Sequence, residues 1–392
     1  MSAKSTPLRS EDVREKNEKL ILRYIHQNDG ISQSQIVQLT GLKAPTVLRI
    51  FSILENSGLI KIKKNHQVEN SSEKKGRKPV FYRVNPTAQY IVGVEFWSQT
   101  ACVLIVDFAK NPVYSLKICL REGENADEVY AELENLITQA IVDSKIDKDK
   151  IIGIGVGAPG QVNMETGEII NYRKIQGFTA YPLGEKLRNN FTVPIFVTNN
   201  AGVIAMNAYR QGLAQNSEAL FTYLIRRGVG GAFIHQGKLF SVLGKTAFEV
   251  GHTITDIDGK PCYCGSSGCL ESYVSESAIL EYVQDAGYQF SEIEEVEQEL
   301  VKGNKNLEQK VAECGKHLAV SAKNILRIIS PNGFLVITRF REISRIFAKE
   351  IEMAIQKDIP ENKVNVYFDE YHSLEAGLGA CDLIFDDYFL LS

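Results

Sequence analysis

The sequence predicts an α/β protein in two parts: a small head of three helices closed by a strand pair, over residues 1–86, and a larger two-lobed body over residues 87–392. Three observations carry this reading. Charge is divided unequally, with 16 Lys/Arg against 8 Asp/Glu in residues 1–86 and 28 against 40 in the rest. Helical apolar spacing dominates the head, and from Tyr90 onward short apolar strands alternate with amphipathic helices in an order that recurs later in the chain.

At 392 residues and 44% hydrophobic content the chain can bury a substantial core in two or three domains. No run reaches the roughly 18 apolar residues of a spanning helix, and "MSAKSTPLRSEDVREKNEKL" holds no apolar stretch of signal-peptide length. A cytoplasmic protein with no membrane partner is expected.

In the head, "EKNEKLILRYIHQNDG" places Leu20, Ile21, Tyr24 and Ile25 on one helical stripe that Gly30 ends. Ser32 followed by Gln35 is a capping-box signature for a second helix through Leu39, and Thr40-Gly41-Leu42 is a tight turn. A third helix starts near Pro45 and carries Val47, Ile50 and Leu54 on one face, with Lys43, Thr46 and Arg49 on the other. "GLIKIKKNHQVENSSEKKGRKPVFYRV" then reads as strand, polar tip, strand, the tip holding Lys74, Lys75, Arg77 and Lys78 around Gly76. Two short helices on a glycine turn, the second with cations near its start, have the geometry of a helix-turn-helix in a major groove, and the strand pair is its wing. Lys43, Pro45, Thr46, Arg49 and the four tip cations are the candidate DNA contacts. A plain three-helix packing unit, with the cations as a solvated face, is the alternative.

In the body, "YIVGVEF", "ACVLIVDF" and "PVYSLKICL" are strands, a helix follows with Val129, Leu133, Leu136, Ile137 and Ala140, and "IIGIGVGAPG" is the next strand. "LFTYLIRRGVGGAFIHQGKLF" repeats strand, glycine turn and strand, a helix covers roughly 306–329, and "GFLVIT" and "VNVYF" are further strands. Two lobes of similar topology with a cleft between them follow from this order. The lobes divide at about residues 87–200, joined by the C-terminal helix, and about 201–379.

Seven cysteines are present. Cys102, Cys119, Cys314 and Cys381 lie among apolar neighbours and are expected to be buried. Cys262, Cys264 and Cys269 fall within "CYCGSSGCLES", ten residues after His252 in "FEVGHTITD". One imidazole and three thiolates in a glycine-punctuated loop form the ligand set of a closed structural zinc site, although free thiols remain open because Cys-x-Cys is tighter than common zinc ribbons.

"EVGHTITDIDGKPCYCGSSGCLE" resembles the signature of the ROK family of repressors, open reading frames and sugar kinases, and the head resembles the winged helix-turn-helix of its repressor branch. The resemblance runs from about Arg14 to Ala380. It implies an actin-like, ribonuclease H-like sugar-kinase fold, a structural zinc held by His252, Cys262, Cys264 and Cys269, and a homodimer or homotetramer.

Against that family pattern three elements of catalysis are altered. The glycines of the phosphate loop are absent from "GVEFWSQTACVLIVDF", where Phe96 and Trp97 are expected to intrude. The Asn-Asp pair that carries the general base reads Asn199-Asn200, and an amide cannot accept the hydroxyl proton at neutral pH. A glycine pair near the nucleotide reads Thr338-Arg339. "GVGGA" at 228–232 survives and is read as a glycine turn between strands. Asn200, Glu249, His252 and Glu271 match positions that hydrogen-bond sugar hydroxyls, an ion pair with a Lys or Arg being the alternative for Glu249. "GAPG" at 157–160 closes the floor of the cleft, and Asn171 and Arg173 receive no role. The expectation is a sugar-responsive repressor of carbohydrate genes whose kinase activity is lost, with operator DNA and a sugar or sugar phosphate as partners. An active, ATP-dependent sugar kinase with an accessory DNA-binding domain is the alternative, and a third reading has the body docking a protein of a sugar-uptake system.

Overall fold

The computed structural model describes residues 10–63, 79–214, 216–242, 244, 248–359 and 363–389. The head comprises α1 (Ser10–Gln27), β1 (Ile31–Ser32), α2 (Gln33–Thr40), α3 (Ala44–Asn56), β2 (Ile60–Ile62) and β3 (Phe81–Val84). The capping box forms as read: the Ser32 side chain accepts from the Gln35 amide, and the Gln35 side chain accepts from the Ser32 amide at 2.9 Å. Val47, Ile50 and Leu54 are buried, together with Phe51, against Ile21, Leu22 and Ile25 of α1. β3 pairs antiparallel with both β1 and β2, which builds the base of the wing. Lys74, Lys75, Arg77 and Lys78 lie outside the described residues.

The first lobe runs through β4 (Tyr90–Phe96), β5 (Thr100–Asp107), β6 (Pro112–Cys119), α4 (Ala126–Asp143), β7 (Ile151–Ala158), β8 (Gln161–Asn163), β9 (Glu168–Asn171), β10 (Thr179–Tyr181), α5 (Leu183–Asn190) and β11 (Ile195–Asn199). α6 (Asn200–Arg210) leads to the second lobe: β12 (Ala219–Ile225), β13 (Val229–His235), β14 (Lys238–Leu239), α7 (Glu271–Val274), α8 (Glu276–Asp285), α9 (Ile293–Val301), α10 (Lys305–Ile329), β15 (Gly333–Thr338), α11 (Arg341–Asp358) and β16 (Asn365–Glu370). α12 (Ser373–Tyr388) closes the chain's described part.

Each lobe holds one five-stranded sheet, in the orders β11-β7-β4-β5-β6 and β14-β13-β12-β15-β16. In both, three antiparallel strands are followed by two parallel ones, so the recurrence in the sequence is a repeat of topology. β12 and β15, buried along nearly their whole length, are the continuous apolar runs expected of central strands.

α12 returns to the first lobe and packs across β4, β7 and α6. Glycine permits this closeness: a Cβ on Gly155 of β7 would lie 1.8 Å from the Ala380 carbonyl oxygen. The other end of α12 meets the head, where Phe385 and Phe389 share one buried cluster with Ile21, Leu22 and Ile25. The head is thus seated on the body through α1 and α12.

Candidate functional site

α3 presents its outer face as the spacing predicts. Lys43, Pro45 and Arg49 are exposed and Thr46 is half-buried, while the opposite face is sealed in the core. Pro45 occupies the first turn, where no backbone N–H is needed. The exposed start of α3 can therefore enter a groove without disturbing its packing.

The second site lies between the lobes. Behind the 3-10 turn Val250–His252, the chain folds into a compact loop through bridges Ile254 to Cys269 and Pro261 to Ser267. Gly268 is required there, since its φ is +73° and a Cβ would meet the Asp256 carbonyl oxygen at 1.6 Å. The loop brings one ligand atom each from His252, Cys262, Cys264 and Cys269 within 4.8 Å of one another. His252 Nδ1 is 3.6 Å from Cys262 Sγ, and Cys264 Sγ is 3.6 Å from Cys269 Sγ. A tetrahedron with metal–sulfur bonds of about 2.3 Å has edges of about 3.7 Å, so the four groups fit a closed metal site. The opposite nitrogen, His252 Nε2, faces the cleft, 3.3 Å from the Tyr263 hydroxyl and 3.9 Å from Glu249 Oε2.

The adjoining cavity, about 90 Å³, is lined by Asn200, Glu249, His252 and Glu271, all four of the residues expected to face a sugar, and by Pro159 and Gly160 of "GAPG". Among the described residues Glu249 forms no ion pair with Lys or Arg. Asn200 opens α6, and its neighbour Asn199 caps that helix by accepting from the Ala201 amide at 2.8 Å. Glu271 is buried at the start of α7; its Oε2 accepts from the Val229 amide at 2.9 Å and its Oε1 pairs with Lys174 at 2.7 Å.

Three residues absent from the sequence reading, Glu95, Arg226 and Tyr371, complete the floor together with Trp97. Glu95 of β4 is 1% exposed and pairs with Arg226 at 3.0 Å across the cleft. The Arg226 guanidinium lies between the rings of Trp97 and Tyr371, at 4.6 and 4.8 Å. Tyr371 donates to Glu95 Oε2 at 2.7 Å, and burial pushes its phenol up so that it stays a donor. Asn200 Nδ2 donates to Glu95 Oε1 at 3.4 Å. Arg226 directly follows β12, two residues before Gly228, and that position at a strand end was its one available signal.

Three expectations are corrected. Phe96 does not enter the cleft: it is wholly buried in the first lobe, 6.0 Å from Phe178, because side chains alternate along the strand and it is Trp97, just past the end of β4, that lines the cavity. Cys119 is exposed, since β6 is an edge strand with alternate residues in solvent; Cys102, Cys314 and Cys381 are buried as expected. "GVGGA" is only partly a turn, because Val229 to Ala232 already belong to β13. Beyond Lys174 a charged cavity of about 530 Å³ opens, where Arg339 grips Glu276 through two bonds at 2.7 and 2.9 Å and reaches Glu294 at 3.1 Å.

A duplicated sheet, an interlobar cleft and a cysteine-histidine loop define a sugar-kinase-like body carrying a winged helix-turn-helix. The ROK family model matches residues 92–386, and a winged helix-turn-helix DNA-binding model matches residues 14–61. The chain belongs to the ROK family. It is 23% identical over 354 residues to the xylose repressor of Caldicellulosiruptor bescii, covering 87% of each chain. It is 25% identical over 352 residues to the DNA-binding transcriptional dual regulator NagC of Escherichia coli K12, covering 88% of this chain and 85% of that one. Among solved structures, a ROK family transcriptional regulator, homolog of the E. coli MLC protein, superposes with TM-score 0.80 at 19% identity over 97% of this chain and 98% of that one. A ROK family glucokinase from Streptomyces griseus, in complex with glucose and AMPPNP, superposes with TM-score 0.65 at 20% identity over 75% of this chain and 98% of that one.

Proposed function

We propose that this protein is a sugar-responsive transcriptional repressor of carbohydrate genes, with a head over residues 1–86 that binds operator DNA and a body over 87–392 that senses a sugar. The observation that carries the reading is the fusion itself, a helix-turn-helix seated on a sugar-kinase-like cleft in a chain similar along 87% of its length to a xylose repressor. Lys43, Pro45, Thr46 and Arg49 make the base and phosphate contacts, with Lys74, Lys75, Arg77 and Lys78 on the wing.

In the cleft, Asn200, Glu249, His252 and Glu271 bind sugar hydroxyls, the carboxylates as acceptors and Asn200 as both donor and acceptor. His252 and the three cysteines would hold a structural zinc, and with Nδ1 turned toward Cys262 the His252 Nε2–H is left to donate into the cleft. Phosphoryl transfer is lost: Asn200 cannot act as base, and the nearby carboxylate of Glu95 is already engaged by Arg226 and Tyr371. A coupled ADP-release assay across hexoses, pentoses and amino sugars tests that loss directly. The protein acts in the cytoplasm as a homodimer or homotetramer.

A path from cleft to head supports the coupling. α6 begins in the cleft at Asn200 and ends at Arg210, whose guanidinium holds Asp382 at 2.9 Å and Asp386 at 2.7 Å on α12. In the same turn of α12 and just past its end, Phe385 and Phe389 pack against His26 of α1. Closure of the lobes on a sugar moves α6 and α12 together and shifts the heads of an oligomer relative to their half-sites. The test is release of operator DNA by sugar in Glu249→Ala, a variant that leaves the head untouched. Sugar is expected to release the wild-type protein and not the variant; equal release refutes the assignment.

A further inference from the structure

Lys174 lies in the loop between β9 and β10, on the first lobe, yet its ammonium ends in the second. It pairs with Glu271 Oε1 at 2.7 Å, donates to the Arg227 carbonyl oxygen and stands 5.1 Å from the centre of the Tyr263 ring. Its side chain is 20% exposed and that of Glu271 8%, so the pair is largely withdrawn from water and weakly screened. The preceding residue makes a parallel crossing: Arg173 Nη1 donates to the Cys264 carbonyl oxygen at 2.7 Å. A short arm of the first lobe therefore grips the cysteine loop and its adjoining helix at the mouth of the cleft.

Both oxygens of Glu271 are committed, one to the Val229 amide and one to Lys174. The amide is a fixed part of the second lobe, but the lysine is a flexible side chain from across the cleft. Lys174 also separates the two cavities, lining the 90 Å³ space beside His252 and the 530 Å³ charged space on its other side. The larger of these spaces offers its ammonium a place to withdraw to, away from Glu249 and His252.

We propose that Lys174 is a built-in occupant of the sugar subsite at Glu271, and that a ligand's hydroxyl gains this carboxylate only by displacing the ammonium into the neighbouring charged cavity. The inference rests on the sensor reading above and adds a residue that sets its threshold. The Lys174–Glu271 pair holds the lobes together without ligand and competes with ligand, so binding affinity is the intrinsic affinity reduced by the stability of the pair. Losing the pair leaves Glu271 a buried carboxylate in need of donors, which sugar hydroxyls supply.

The experiment is isothermal titration of the full-length wild type, Lys174→Met and Lys174→Gln with xylose, glucose, N-acetylglucosamine and the 6-phosphates of the two hexoses. Each protein's thermal midpoint is measured alongside. The sugar that binds the wild type is expected to bind both variants tighter by about tenfold, the factor that loss of a competing pair worth about 1.4 kcal/mol gives. Binding by the variants alone supports the proposal equally. Affinity that is unchanged or weakened in the variant that retains a cooperative thermal transition overturns it while leaving the sensor reading intact. Absence of binding to all three proteins overturns the sensor reading and the proposal with it.

Discussion

His26 offers a perturbation whose size follows from its surroundings. Its ring lies in the last turn of α1, with ring centres of Phe385, Phe389 and Phe108 at 4.8, 5.0 and 5.8 Å, and its Nε2 makes no hydrogen bond to the protein. Burial lowers its pKa from 6.5 to about 4 and Lys110 adds to the lowering, while Asp382 and a hydrogen bond to the Phe108 backbone oppose it. Because the folded value is depressed, the unfolded chain binds the extra proton between these limits. The stability that neutral His26 permits is whole above pH 6.5 and drains away as pH falls toward 4. At about pH 5 the two values give a loss of about 2 kcal/mol. Leucine has a similar volume and cannot titrate; it removes the unpartnered Nε2 but also the ring's hydrogen bond to the Phe108 backbone, so His26→Leu should lie within about 1 kcal/mol of the wild type at neutral pH. Denaturant unfolding of both proteins at about pH 7.5 and about pH 5 reads the difference, since the other titrating groups are common to both. The variant's advantage should widen by about 2 kcal/mol in acid. An advantage that stays constant with pH would falsify the placement of a neutral, half-buried His26 between head and body.

Other outcomes follow from the remaining contacts. Arg49→Ala should weaken binding to operator DNA by about tenfold or more at fixed salt, a loss of about 1–3 kcal/mol, with no change in the sugar-induced thermal shift. Elemental analysis should find one zinc per chain in protein purified without chelator, and Cys264→Ser should lose both the metal and part of the thermal midpoint; metal-free wild-type protein contradicts this. Arg226→Met strands Glu95 in the core and should cost about 3–5 kcal/mol, whereas the double change Glu95→Leu with Arg226→Met should recover most of it. If the single and double variants unfold alike, the pair is not the buried unit described here.

Local chemistry made the head readable in advance. The Ser32–Gln35 box, Pro45 and the Val47, Ile50, Leu54 stripe are each decided within one or two turns of helix, and each recurs in the structure. The cysteine loop was legible for the same reason, because its four ligands lie within 18 residues, His252 to Cys269. Strand identity survived wherever burial was continuous, as in β12 and β15. The misjudged positions were those decided by which face of a strand turns outward. Phe96 ends β4 and Trp97 follows it, yet alternation sends one to the core and the other to the cleft, and Cys119 depends on β6 being an edge. The interlobar contacts had no local signature at all: Glu95 and Arg226 are 131 residues apart, and Lys174 meets Glu271 from another lobe. Only the topology that folds two similar sheets against one another brings them together.

The decisive measurement is fluorescence anisotropy of the full-length protein on DNA from upstream of its own gene and of neighbouring sugar operons. It is made at two salt concentrations, with xylose, glucose, N-acetylglucosamine and their phosphates added in turn. Tight, salt-sensitive binding that one of these sugars shifts is the expected result, and it names the effector in the same titration. DNA binding indifferent to every sugar would detach the cleft from the head and contradict the sensor; no DNA binding at all would contradict the repressor.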